Sequence, residues 1–160
     1  MPQSLAKILV HTVFSTKERR PFLRDPDLRE ELHRYVGGIL LGDDCQPILI
    51  GGVEDHVHIL STLSRTCQAA EMVKEVKRSS SMWIKSADLQ DFAWQNGYGI
   101  FSIGFSQIES VRDYIATQEE HHRKKSFSQG LSCWWSYGLR ATTTKPLKRF
   151  NICGDFYTPN

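Results

Sequence analysis

The apolar positions of residues 5 to 14, LAKILVHTVF, form a β-branched run that predicts a first strand. In DPDLREELHRYVGGILLG the pattern changes, and Leu28, Leu32, Tyr35, Val36 and Ile39 recur at helical spacing. Asp25 is placed to cap that helix, Pro26 suits its first position, and Gly42 offers a stop. CQPILIGGV and HVHILSTL, separated by Glu54 and Asp55, predict a hairpin or near-hairpin. Thr66 is expected to cap a second helix with Ala69, Met72, Val73, Val76 and Trp83 on its apolar side. Lys74, Lys77, Arg78 and Ser79 occupy the other side. Asn96-Gly97 marks a turn before YGIFSIGFS, in which Phe101, Ile103 and Phe105 alternate as strand residues do. A capping box from Ser106 to Glu109 opens the last helix, SQIESVRDYIATQEEHHRKK, whose buried side is Ile108, Val111 and Ile115.

The first six elements spell β-α-β-β-α-β. That order predicts an α+β, ferredoxin-like antiparallel sheet with helices on one face, followed by a C-terminal helix that bears Tyr114. At 160 residues the chain is long enough for one domain with a real core. A net charge of +2 with 24% charged residues does not by itself demand a polyanionic partner, so the distribution of charge matters more. No apolar run approaches the roughly 20 residues of a membrane helix, and the N-terminal run, interrupted by Lys7 and His11, lacks a signal-peptide cleavage pattern. A cytoplasmic protein is expected. Cys45, Cys67, Cys133 and Cys153 form no C-x-x-C, which argues against a structural zinc site, and a reducing compartment argues against disulfides.

The candidate chemistry lies in two places. His56 and His58 sit at i and i+2 of a predicted strand, so both project from one face and can share a cation. A polar patch at a strand end is the commoner fate of H-x-H alone, and two ligands are too few for a working metal site. Tyr114 and Gln118 are i and i+4 on the last helix, neighbours on a side distinct from its apolar one. A phenol has an ordinary pKa near 10 and needs activation to attack a phosphodiester. A divalent ion held by two histidines and a glutamine would polarise the phosphate. The product would be a phosphotyrosine and a freed hydroxyl, with no water consumed: strand transfer, not hydrolysis. Three basic clusters are candidates to track a nucleic-acid backbone. They are Lys17, Arg19 and Arg20; Lys74, Lys77 and Arg78; and Arg123, Lys124 and Lys125. Trp83, Trp94 and Tyr98 are available to stack on unpaired bases, with core packing as the default.

VHTVFSTKERRPFL, DHVHIL, MVKEVKRSSSMWI, FAWQNGYGIFSIGFS and VRDYIATQEEHHRKKSF together resemble the single-tyrosine HUH transposases of the insertion-sequence-200/605 type, in family order over residues 5 to 127. The resemblance implies that His56, His58 and Gln118 are metal ligands and Tyr114 is the nucleophile. It implies an Mg²⁺- or Mn²⁺-dependent enzyme with no small-molecule cofactor, which cuts and rejoins single-stranded DNA beside hairpins and works as a homodimer. Two alternatives keep the fold: a hairpin-binding relative without cleavage, and a tyrosine transposase acting on host repeats. A phosphodiesterase with paired H-x-T motifs fits less well, since His11-Thr12 and His56-Val57-His58 do not match each other.

Residues 1 to 127 are thus expected to form the transposase domain, and residues 128 to 160 an atypical tail. Family members usually end in an acidic amphipathic segment. Here residues 128 to 160 contain no glutamate, no helical period, and a threonine run before Pro146, a change of character that suggests a shifted reading frame in the gene. Deleting residues 135 to 160 is therefore expected to lower the melting temperature by only a few degrees. Loss of folding would show that the tail has become part of the structure, with the aromatic group Trp134, Trp135 and Tyr137 the part best suited to burial.

Overall fold

The computed structural model describes residues 5–118. Within them the chain runs β1 (Ile8–Ser15), α1 (Pro26–Gly42), β2 (Pro47–Val53), β3 (His56–Leu63), α2 (Ala69–Ser86), β4 (Gly99–Ser102) and α3 (Ile108–Ala116). The four strands form one sheet in the order β2-β3-β1-β4, every neighbouring pair antiparallel. The predicted α+β, ferredoxin-like arrangement is the one observed. The expectations for residues 119 to 127 and for the tail lie outside the described residues.

Strand period divides this sheet into two chemically different faces. The register pairs Val10 with Ser61, Thr12 with Ile59 and Phe14 with Val57, so these share a face. That face meets α1 through Leu32, Val36 and Leu40, and α2 through Met72, Val73, Val76 and Ile84, to form the main core. Phe92 and Trp94 close its end, Trp94 packing edge-on to Phe14 and donating Nε1–H to Ser80 Oγ at 2.9 Å. The alternate residues, Leu9, His11 and Val13 on β1 and His56, His58 and Leu60 on β3, belong to the other face. There α3 packs against β2 and β3 and buries Val111 and Ile115. So α1 and α2 share one face, and among the described residues the tyrosine helix covers the other.

Several local expectations hold. Asp25 caps α1 by accepting from the Asp27 amide at 3.0 Å, with Pro26 as first residue. Gly97, with φ 86°, takes the left-handed turn conformation that glycine tolerates. Others are corrected. The second helix begins after Gln68, not at Thr66, whose hydroxyl lies 3.1 Å from Ser64 Oγ. Helix α1 does stop at Gly42, but the left-handed residue that follows it is Asp44. The capping pair before α3 is Gly104 with Gln107, not Ser106 with Glu109: Gly104 N–H donates to Gln107 Oε1 at 2.9 Å, and Gln107 N–H returns to the Gly104 carbonyl. Strand β4 therefore ends at Ser102, and Phe105 lies in a 3₁₀ turn, exposed, beneath the Lys7 ammonium. The alternation of Phe101, Ile103 and Phe105 overran the strand because a glycine-led turn won over the apolar pattern.

How closely α3 sits on the sheet is set by Gly51. A Cβ at this position would lie 2.7 Å from Ile115 Cγ2 and 3.2 Å from the Ile115 carbonyl oxygen. Gly51→Val is expected to destabilise the protein by about 1–3 kcal/mol in urea unfolding, the usual cost of overpacking. Unchanged stability would show that α3 can retreat freely from β2.

Candidate active site

Strand β3 carries His56 and His58 on the α3-covered face, and both rings are fully buried. They stand edge to face with centroids 5.0 Å apart. Buried imidazoles need hydrogen-bond partners, and each has its own. His58 Nδ1 lies 2.9 Å from Nε2 of His11, which projects from β1 onto the same face. His56 Nδ1 lies 2.6 Å from Oδ1 of Asp55, the residue just before it. In both rings it is Nδ1 that is engaged, so a metal would be met by the two Nε2 atoms, with the Nδ1 protons held by His11 and Asp55.

The third donor comes from the close of α3. Gln118 is buried, its Oε1 3.4 Å from His56 Nε2. Its Nε2 donates to the Tyr114 carbonyl at 2.9 Å, which fixes which end of the amide faces the histidine. Tyr114 itself packs edge-on against His58, centroids 5.4 Å apart, and against His11 at 6.3 Å. The four residues singled out by spacing, His56, His58, Tyr114 and Gln118, thus meet within one chain. Among the described residues no cluster of three or more His, Cys, Asp or Glu has the geometry to hold a metal ion. The donor set here is two imidazoles and an amide oxygen, a mixed N/O group suited to a divalent cation.

The electrostatics favour a neutral His11 and an ionised Asp55. Burial pushes His11 down to about 4. Burial tends to raise the Asp55 carboxyl, but hydrogen bonds and charge from His56 and Arg19 outweigh it, and the net shift is downward.

The basic residues are placed less simply. Lys17 and Arg20 are exposed beyond the end of β1, Arg20 with its guanidinium 4.6 Å from the Phe22 ring centroid. Arg19 turns back and binds Asp55 Oδ2 through Nε at 2.9 Å and Nη2 at 2.7 Å. Helix α2 lies on the opposite side of the sheet from the histidines, so its basic residues do not adjoin the site. Lys74 and Arg78 pair along the helix with Glu71 and Glu75. The Lys77 ammonium binds the carbonyls of Gln95 and Gly97, and burial lowers its pKa. Arg123 and Lys124 lie outside the described residues. Trp94 belongs to the core, while Trp83 stacks on Tyr35.

His11 and Asp55 are the residues that spacing alone missed. Each carried a signal: a histidine inside an otherwise apolar strand, and a carboxylate adjoining H-x-H. Their partnership, however, depends on the antiparallel register of β1 and β3, which no single segment displays.

A ferredoxin-like sheet whose helix-covered histidine pair faces a tyrosine defines the class, and comparison with known proteins supplies the family. The model of the IS200-like transposases matches residues 4–118, and the chain belongs to that family. A crystal structure from Deinococcus radiodurans R1, whose transposase designation is itself provisional, is similar with a TM-score of 0.58 at 20% identity, over 74% of this chain and 98% of that one. A REP-associated tyrosine transposase bound to a REP hairpin is similar with a TM-score of 0.57 at 15% identity, over 76% of this chain and 73% of that one. At such identities these structures establish a shared fold. No curated protein is similar enough to count as a match. Among the described residues no helix is long and apolar enough to cross a membrane.

The buried histidines make stability depend on pH. Besides His11, His33 on α1 is pushed down to about 4 by burial, with Arg29 adding to the effect and Glu30 opposing it. In the unfolded chain both titrate near 6.5. Between about pH 6.5 and 4 the unfolded chain therefore binds protons that the folded chain refuses. This part of the stability is complete above about pH 6.5 and is lost on acidification towards 4. Urea midpoints of the metal-free protein should fall between pH 7 and 4.5, and fall less in His33→Leu. A flat profile would contradict neutral burial of these rings.

Proposed function

We propose that this protein is a metal-dependent transposase that cleaves and rejoins single-stranded DNA beside hairpins through a phosphotyrosine on Tyr114. The observation that carries the reading is the convergence of Tyr114, His56 Nε2, His58 and Gln118 Oε1 on one buried sheet face. His56, His58 and Gln118 would hold Mg²⁺ or Mn²⁺. When bound, such an ion supplies Lewis-acid polarisation of a phosphate oxygen.

The chain's own residues supply the rest. Tyr114 Oη would form the new bond to phosphorus as the strand's P–O bond breaks; the phenol gives up its proton and the departing oxygen becomes a hydroxyl. Phosphodiester number is conserved, so the reverse attack by a DNA hydroxyl rejoins the strand. Packing against His58 and His11 limits the motion of the Tyr114 ring, which favours an in-line approach. His11, kept neutral by burial, would accept from His58 Nδ1 and so hold the tautomer in which Nε2 is the atom able to bind an ion. Lys17 and Arg20, exposed where β1 ends, are suited to phosphate contacts. The hairpin in the similar REP-associated transposase supports hairpin DNA as the partner here. The homodimer belongs to the same reading.

The decisive experiment uses a labelled single-stranded hairpin oligonucleotide and asks for a covalent protein–DNA adduct. Tyr114→Phe, which keeps the ring and nearly all its packing, should bind the hairpin with unchanged affinity and form no adduct. Gln118→Ala should cleave more slowly and recover in part at raised Mn²⁺, since it weakens a ligand without removing the nucleophile. Fully paired duplex should be left uncut, and hairpin binding should weaken steeply with salt as counterions are released. An adduct at normal yield from Tyr114→Phe would sink the tyrosine assignment.

A further inference from the structure

Arg19 lies in the basic stretch after β1, TKERRPFL, where a phosphate contact was the natural expectation. The geometry points to a different role: we propose that Arg19 is a positioning residue that acts through Asp55 on His56, and so sets the affinity of the site for its metal. This rests on the metal reading above.

The argument starts from the two oxygens of one carboxylate. Asp55 Oδ1 takes the His56 ring at Nδ1, 2.6 Å away. Asp55 Oδ2 takes both Nε and Nη2 of Arg19, at 2.9 and 2.7 Å. With Oδ2 gripped by two guanidinium N–H groups, the carboxylate cannot rotate about its Cβ–Cγ bond without breaking a charge-assisted pair. Oδ1 is therefore held on the imidazole. That bond keeps the proton on Nδ1 and leaves His56 Nε2 facing Gln118 Oε1. A carboxylate behind a metal-binding histidine fixes the ring and raises its basicity. Here the carboxylate has a further support of its own.

The backbone is shaped for this contact. Glu18 and Arg19 both take the left-handed conformation, at φ 55° and 54°. For non-glycine residues each such position costs free energy. The two turn the chain back so that the Arg19 side chain meets Asp55 just before the start of β3. The same turn is tied down at Thr16. Thr16 N–H donates to the Asp55 carbonyl at 2.9 Å and Thr16 Oγ1 to the Arg20 carbonyl at 2.7 Å. The Leu23 amide completes the tie, bonding the Glu54 carbonyl. A solvated DNA-binding arginine would need none of this. The Arg19–Asp55 pair is also only partly exposed, at 36% and 16% of the two side chains, where such a pair is screened less than on open surface.

The test measures Mn²⁺ binding to the purified full-length protein without DNA, by calorimetry and by the electron paramagnetic resonance signal of free Mn²⁺. Arg19→Ala should weaken binding roughly 10–100-fold, the range found for outer partners of metal-bound histidines. Arg19→Lys, which keeps the charge and loses the fork, should fall between Arg19→Ala and wild type. In an Asp55→Asn background, Arg19→Ala should cause no further loss, because its effect passes through that carboxylate. Hairpin DNA affinity in chelator should be the same for Arg19→Ala and wild type, and Arg19→Lys carries the comparison should Arg19→Ala fail to fold. Wild-type Mn²⁺ affinity in both Arg19 variants, or additive losses with Asp55→Asn, would overturn the proposal. So would weakened metal-free hairpin binding without a change in Mn²⁺ affinity, which would return Arg19 to the DNA. If the wild-type protein binds no Mn²⁺, the metal reading itself fails. If it binds Mn²⁺ and His56→Ala abolishes binding while the Arg19 variants do not alter it, the inference alone fails.

Discussion

Burying two imidazoles side by side on one strand is the constraint around which the rest of this structure is arranged. A polar ring taken out of water without partners costs several kcal/mol, and His56 and His58 are both fully buried. Strand period puts them on the same face, and that face cannot be an ordinary hydrophobic one. It is met by a third histidine from β1, by the carboxylate that precedes the pair, and by a helix that brings an amide and a phenol. The main core is correspondingly displaced to the other side of the sheet, where α1 and α2 need only apolar residues. The main core and the candidate site thus occupy opposite faces of the same sheet, and the alternation of side chains along β1 and β3 keeps them apart.

The fold was readable where local pattern and tertiary demand agree. The strand of HVHILSTL, the capped start of α1 at Asp25-Pro26, and the i, i+4 pairing of Tyr114 with Gln118 follow from periodicity and capping alone. The candidate site was readable to the extent that its residues are spaced by strand or helix geometry. What escaped depends on contacts between distant segments. His11 is opposite Leu60 in the register and reaches His58 diagonally across β1 and β3. Lys77 looks like a surface charge on a helical wheel, yet it is turned onto two carbonyls of the loop after Trp94. Thr66 and Ser106 looked like caps because their residue types are right. Gln68 and the Gly104–Gln107 pair took those positions through backbone placement that residue type does not encode.

The close of α3 shows how economically the face is built. A helix leaves its last carbonyls without intrahelical donors. Thr117 Oγ1 donates to the Asp113 carbonyl at 2.7 Å, and Gln118 Nε2 donates to that of Tyr114 at 2.9 Å. The side chain whose Oε1 faces His56 is therefore also one of those that satisfy the end of the helix bearing Tyr114. Gly51 lets this helix lie close to β2, since any Cβ there would meet Ile115. The orientation of Gln118 and the seat of Tyr114 are consequently one structural variable. A shift of α3 along the sheet would move the amide away from His56 and the phenol away from His58 together. The geometry couples placement of the proposed nucleophile to completion of the proposed ligand set, so a chain that has lost one by such a shift has lost the other as well.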